Sequence, residues 1–218
     1  MKSGKNDKRR SIAPPCLDGV AMEPATVEGL HGDECFERRI IDGAQLSAAA
    51  ARAVVFDTCV IRRAALDGSK LVRLRIVDAR VEKSTLANSD WTKARLSRVE
   101  ITGSRLTGLI LSEAEVRDVV VAGCKADFLR CGSAKLTSVK FEDCILCDAD
   151  FQDANLEFVS FAGCDLSRAD FTRAKFREID LSGAKIDGLR IEPEQLRGVT
   201  IEAAQAMFVI ALLGIEIR

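Results

Sequence analysis

From Phe36 to Ile191 every fifth residue falls into one class. Of these 32 positions, 29 hold Leu, Ile, Val, Phe or Trp, and the exceptions are Ala51, Ala126 and Cys131. A second set, two residues earlier, runs from Ala44 to Leu189 and holds only Ala, Ser, Cys, Val, Leu and Ile. The remaining three positions of each five carry nearly all the charge, as in ADFQD ANLEF VSFAG CDLSR ADF over residues 149–171. A helix advances about 100° per residue, so a period of five scatters around it. A flat strand alternates faces, so an odd period flips the side chain at each step. A chain that turns a corner every five residues keeps one large side chain pointing inward on each side and a small one near each corner. Coils of that kind stack by parallel backbone pairing at about 4.8 Å.

The triplets Ala149-Asp150-Phe151, Ala154-Asn155-Leu156, Cys164-Asp165-Leu166 and Ala169-Asp170-Phe171 carry the tandem motif Ala-(Asp/Asn)-(Leu/Phe)-x-x. In this the chain resembles the pentapeptide repeat family over about residues 36–191. The resemblance implies an all-β solenoid, a right-handed quadrilateral β-helix of about eight 20-residue coils with a C-terminal α-helical cap. On this reading residues 1–11 are a disordered basic tail, 12–35 an irregular N-terminal cover over the first coil, 36–191 the β-helix and 192–218 the cap.

Bare solenoid ends expose apolar surface and strand edges, so both need covers. Pro193 closes the repeats and suits the first position of a short helical turn, Pro193–Arg197. Thr200 is expected to cap a second helix from Ile201 to about Leu213, stopped by Gly214. Met207, Phe208, Val209, Leu212 and Leu213 form its candidate cap or dimer face, since the resemblance implies homodimerisation through a C-terminal helix in quinolone-resistance members. Residues 124–132 break the packing rule, with Leu129 large between Ala126 and Cys131. A swap of packing roles, with a bulge or a functional notch as alternatives, is the expectation there.

Composition narrows the chemistry. The chain has 218 residues, a net charge of −1, eight cysteines, one histidine and no tyrosine. Near-neutrality argues against direct nucleic-acid binding by a general basic surface. No apolar run approaches the ~20 residues of a membrane span, and no secretory leader is recognisable, so a cytoplasmic protein with free thiols is expected. Cys124, Cys144 and Cys164 recur at intervals of one coil and should stack as small buried groups. Cys144 and Cys147 should diverge, one inward and one outward. His31, in the N-terminal cover, has no sequence neighbour that would make it a base. The aspartates beside the large positions, Asp150, Asp165, Asp170 and Asp180, are expected to support turns. No catalytic set, phosphate loop or metal-ligand cluster is visible, so neither an enzyme nor a cofactor is expected.

Charge is distributed unevenly along the axis. Residues 49–98 hold 11 basic and 5 acidic side chains, whereas residues 99–193 hold 12 and 17. Four-sided stacking places Arg73, Arg75, Lys93 and Arg95 at one corner of two adjacent coils, with Lys70 and Arg98 nearby. This corner is the candidate interaction patch for an unidentified protein partner. The resemblance implies a second role, mimicry of duplex DNA toward DNA gyrase. Each of the four sides sums to between −1 and +1, far from the one negative charge per ~1.7 Å of duplex DNA.

Overall fold

The computed structural model describes residues 11–212 and residue 214. Nearly all of the expected basic tail, and Leu213, lie outside the described residues. The strands in chain order are β1 (Glu23–Ala25), β2 (Cys35–Glu37), β3 (Arg39–Asp42), β4 (Ala50–Arg52), β5 (Val55–Arg62), β6 (Lys70–Val72), β7 (Arg75–Glu82), β8 (Arg95–Thr102), β9 (Glu115–Ala122), β10 (Lys135–Glu142), β11 (Asn155–Ala162), β12 (Lys175–Asp180) and β13 (Val199–Thr200). All pairing is parallel. From β5 through β12 the paired residues lie 20 positions apart, as in Phe56 with Ile76 and Phe141 with Phe161. Isolated bridges on the other two sides keep the same offset, for example Ile110 with Arg130 and Arg130 with Asp150. The chain is thus a parallel β-solenoid with four sides per turn.

The corners have one backbone solution. Every fifth residue from Asp33 to Gly188 has positive φ, eight of them glycine and the rest non-glycine. A single left-handed residue reverses the side-chain alternation that would otherwise carry the next large residue outward. The large residue of each five then points inward again. Phe151, Phe161 and Leu166 are fully buried, and the small residues Ala149, Ala154 and Ala169 are buried beside them. Phenylalanines one coil apart stack, Phe141 on Phe161 at 5.2 Å and Phe151 on Phe171 at 4.8 Å. Successive sides meet edge to face, as Phe151 and Phe161 do at 5.9 Å.

Residues 124–132 keep the register and contain no bulge. Ala126, Leu129 and Cys131 are all buried, and Phe128 and Ser133 take the corner conformation on schedule. The exchange of large and small positions is accommodated by packing alone.

Both ends differ from expectation. The N-terminal segment contains β1, which pairs Ala25 with Ile41 at an offset of 16. The segment preceding β1 also contacts the wall of the solenoid. Cys16 N–H donates to Asp78 Oδ1 at 2.9 Å, two coils beyond Arg38 in the same corner column.

At the other end β13 still pairs with β12 at the offset of one coil, so the solenoid runs to about nine turns rather than eight. The expected short turn forms as a 3-10 helix, Pro193–Leu196. The expected long helix does not begin at Ile201. A second 3-10 turn covers Ala203–Gln205, and the α-helix α1 spans only Ala206–Leu212. The cause is a reciprocal cap. Gln205 Oε1 accepts from Glu202 N–H at 2.8 Å, which makes Glu202 the N-cap in place of Thr200. Thr200 is held in the sheet instead.

Candidate functional site

Several charged side chains of the rod meet an opposite charge one coil away. Arg98 grips Asp78 at 2.7 and 2.5 Å, Arg168 grips Asp148 at 2.8 and 2.6 Å, and Arg173 grips Asp153 at 2.8 and 2.7 Å. Arg80 pairs with Glu100 and Lys185 with Asp165 in the same way. Each pair is one turn apart in sequence, so the repeat itself brings opposite charges into register. The Arg98 guanidinium holds the Asp78 carboxyl below the usual carboxylate range.

The sequence-derived patch gathers cations on adjacent coils. The structure brings Arg73, Arg75, Lys93 and Arg95 together around a shallow cavity of about 540 Å³, walled also by Ala53, Val55, Glu113 and Glu115. A second cavity of about 700 Å³ adjoins it through Arg75, Arg95 and Glu115, and adds Arg98, Arg117 and Lys135. Lys93 and Arg95 do have partners on the following coil, Glu113 at 3.3 Å and Glu115 at 3.5 Å. Arg73 and Arg75 have none among the described residues. Their column neighbours are Ala53 and Val55 on one side and the cations Lys93 and Arg95 on the other. Arg117 and Lys135 are likewise exposed and without an ion pair among the described residues. Arg98 is engaged by Asp78, and Lys70 does not line either cavity.

Sequence reading missed Glu113, Glu115, Arg117 and Lys135. The signal was available, since Glu113 and Glu115 lie one coil beyond Lys93 and Arg95, and Lys135 lies one coil beyond Glu115.

Cys131 and Cys147 offer no nucleophile of lowered pKa. Burial pushes the Cys131 thiol well above its ordinary value. Burial and the Asp165 carboxylate push Cys147 up as well. Cys124, Cys144 and Cys164 are buried in one column, and Cys144 Sγ–H donates to Val121 O and Glu142 O at 3.3 Å. Cys147 is half-buried and lies by Asp165. Trp91 is buried with its Nε1 unpartnered. His31 is exposed, and its backbone N–H donates to Glu34. Among the described residues no cluster of His, Cys, Asp and Glu has metal-binding geometry, and no helix is long and apolar enough to cross a membrane.

The four singled-out aspartates all brace turns. Asp150, Asp165, Asp170 and Asp180 each accept the backbone N–H two residues on, at 2.9 Å, from Gln152, Ser167, Thr172 and Ser182. On α1, Phe208 and Leu212 pack against the core, Val209 is half-buried and Met207 is 60% exposed.

The family model described as "Pentapeptide repeat region" matches residues 102–171 and 134–207. The chain is a pentapeptide repeat protein. Its repeats in the structure begin well before the matched region. No curated protein matches it in sequence. Among solved structures it is similar to HetL, a pentapeptide repeat protein involved in heterocyst differentiation regulation from the cyanobacterium Nostoc sp. strain PCC 7120. The identity is 17%, over 78% of this chain and 87% of that one, with a TM-score of 0.48. It is also similar to full-length QnrB1, a plasmid-mediated fluoroquinolone resistance protein, at 20% identity over 72% of this chain and 99% of that one, with a TM-score of 0.40.

Proposed function

We propose that this pentapeptide repeat protein is a non-catalytic scaffold that binds another protein through the cationic corner at Arg73, Arg75, Lys93 and Arg95. One observation carries the reading. Arg73 and Arg75 have no ion pair among the described residues and stack against two further cations over a concave surface. Like charges held side by side repel, and the fold offers Arg73 and Arg75 no acid of their own. An acidic partner surface supplies it. A rigid repeat surface loses little conformational entropy when it binds, which suits this role.

Mimicry of duplex DNA toward gyrase is the weaker reading. Duplex DNA carries one negative charge per ~1.7 Å of its axis, whereas the whole chain has a net charge of −1.

The test compares the parent with a variant carrying Glu at positions 73, 75, 93 and 95, using cross-linking capture from a cell lysate. A protein retained by the parent and lost by the variant is the expected result. Equal capture by both would remove the corner from the interface. Inhibition of gyrase supercoiling by the parent at micromolar concentration would overturn the scaffold reading in favour of mimicry.

A further inference from the structure

The two adjoining cavities form one groove along the rod axis, and its charges are ordered. Arg73 and Arg75 lie on one coil, Lys93 and Arg95 on the next, Glu113, Glu115 and Arg117 on the third, and Lys135 on the fourth. After internal pairing of Lys93 with Glu113 and Arg95 with Glu115, two zones of unmatched positive charge remain. They are Arg73 with Arg75 at one end and Arg117 with Lys135 at the other. Three coil steps separate Arg75 from Lys135, about 14 Å at strand spacing. Between them lie carboxylates.

That order selects against a uniform polyanion. A nucleic-acid strand would carry its phosphates past the Lys93–Glu113 and Arg95–Glu115 pairs, which offer them no net positive charge. The residues lining the groove also include no aromatic side chain on which a base could stack. An extended peptide is different, because its charges can be spaced. Side chains on one face of a strand recur about every 6.8 Å. Positions i and i+4 therefore span the distance between the two cationic zones, and position i+2 falls near the carboxylates.

Resting on the scaffold reading, we infer that the groove takes an extended acidic segment of a partner protein with carboxylates at i and i+4 and an uncharged or basic residue at i+2. The ends of the segment meet Arg73/Arg75 and Arg117/Lys135, and its centre meets Glu113 and Glu115.

Fluorescence anisotropy of labelled dodecapeptides with the full chain tests this. One peptide carries two acidic clusters spaced by a neutral stretch, and a second has the same composition with the acids contiguous. An oligothymidylate of matching length serves as the polyphosphate probe. The spaced peptide is expected to bind saturably and about tenfold more tightly than its contiguous isomer, a factor within reach of a few surface charge pairs. Arg75→Glu with Lys135→Glu should abolish that binding. Glu113→Gln with Glu115→Gln should erase the preference for spacing and admit the oligonucleotide. The inference is overturned if the contiguous peptide or the oligonucleotide binds the parent as tightly as the spaced peptide, or if no peptide binds. If no peptide binds while charge reversal at Arg73 and Arg75 still releases the captured protein, only the charge pattern fails and the scaffold reading stands.

Discussion

At the scale of single residues the repeat asks for three things: a large apolar side chain, a small one, and a residue that tolerates left-handed backbone. The first two were plain in the sequence, because burial in a one-residue-wide core leaves little choice. Phe151 makes the demand concrete. It is fully buried, stacks on Phe171 and meets Phe141 and Phe161 edge on. Phe151→Ala is expected to cost about 3–5 kcal/mol, read from the midpoint of chemical denaturation. The third requirement was less legible because many residue types meet it. Phe128 does so poorly, with φ 58° and 54% exposure. A bulky residue there bears a backbone cost of about 1–2 kcal/mol without compensating burial, so Phe128→Asn should raise the denaturation midpoint. A fall would show that the ring packs in a stabilising way. Asp165 supplies a pH signature. Burial raises its pKa, but hydrogen bonds from Ser167 and Cys147 and contact with Lys185 outweigh it and bring the value to about 2, against an ordinary 3.8. Its contribution is therefore complete above the unfolded value and lost as pH falls through about 2. Asp165→Asn should be less stable than the parent at pH 6, and the gap should close as the pH is lowered from about 4 to about 2.

At the scale of elements the strands need little beyond register, and the ends need specific side chains. Gln195 and Gln205 show how the last turn is finished. Gln195 Nε2 donates to Phe171 O and Ala174 O at 2.8 and 2.5 Å. Gln205 Nε2 donates to Leu181 O and Ala184 O at 2.8 and 2.7 Å. Within the stack a carbonyl such as Ala154 O accepts the N–H of Lys175, one residue past a full coil. Both glutamines sit at that same separation from the alanines they serve, so a side-chain amide stands in for the backbone of a missing coil. Gln205→Ala leaves buried carbonyls unsatisfied and should cost about 1–3 kcal/mol, with faster amide exchange concentrated near residues 181–184. Uniform acceleration along the chain would count against this assignment. The same detail explains why the helix start escaped sequence reading. Ile201, Ala204, Phe208 and Ala211 have helical spacing, but Glu202 and Gln205 lock the backbone before the helix begins, and Thr200 is claimed by β13. β1 escaped for another reason. Its offset of 16 breaks the period, and Pro24 argues against a strand. The cationic corner was legible because columns follow from counting coil by coil. Its carboxylate neighbours were missed because they lie one coil beyond Lys93 and Arg95.

At the scale of the whole molecule the solenoid is a stack in which each coil touches its neighbours. Stability then approximates a sum of coil and interface terms. Two lesions of opposite size should behave in an unexpected order. Insertion of one residue after Leu156 displaces every later side chain by one position and should abolish the cooperative melt. Deletion of one whole coil, from Thr137 to Leu156, joins matching positions and should leave a shorter folded rod. Circular dichroism melts of the two variants distinguish these outcomes, and a parent-like melt for the insertion would refute the five-residue register.

The pairing offset of one coil also fixes how the molecule answers a pulling force. Backbone bonds between coils run along the axis, so tension applied at the two termini loads them one turn at a time rather than all at once. Each turn that peels away releases one coil of chain, about 70 Å of contour at full extension. The extension trace of a single molecule should therefore resemble a staircase of equal treads, with the tread length set by the sequence period.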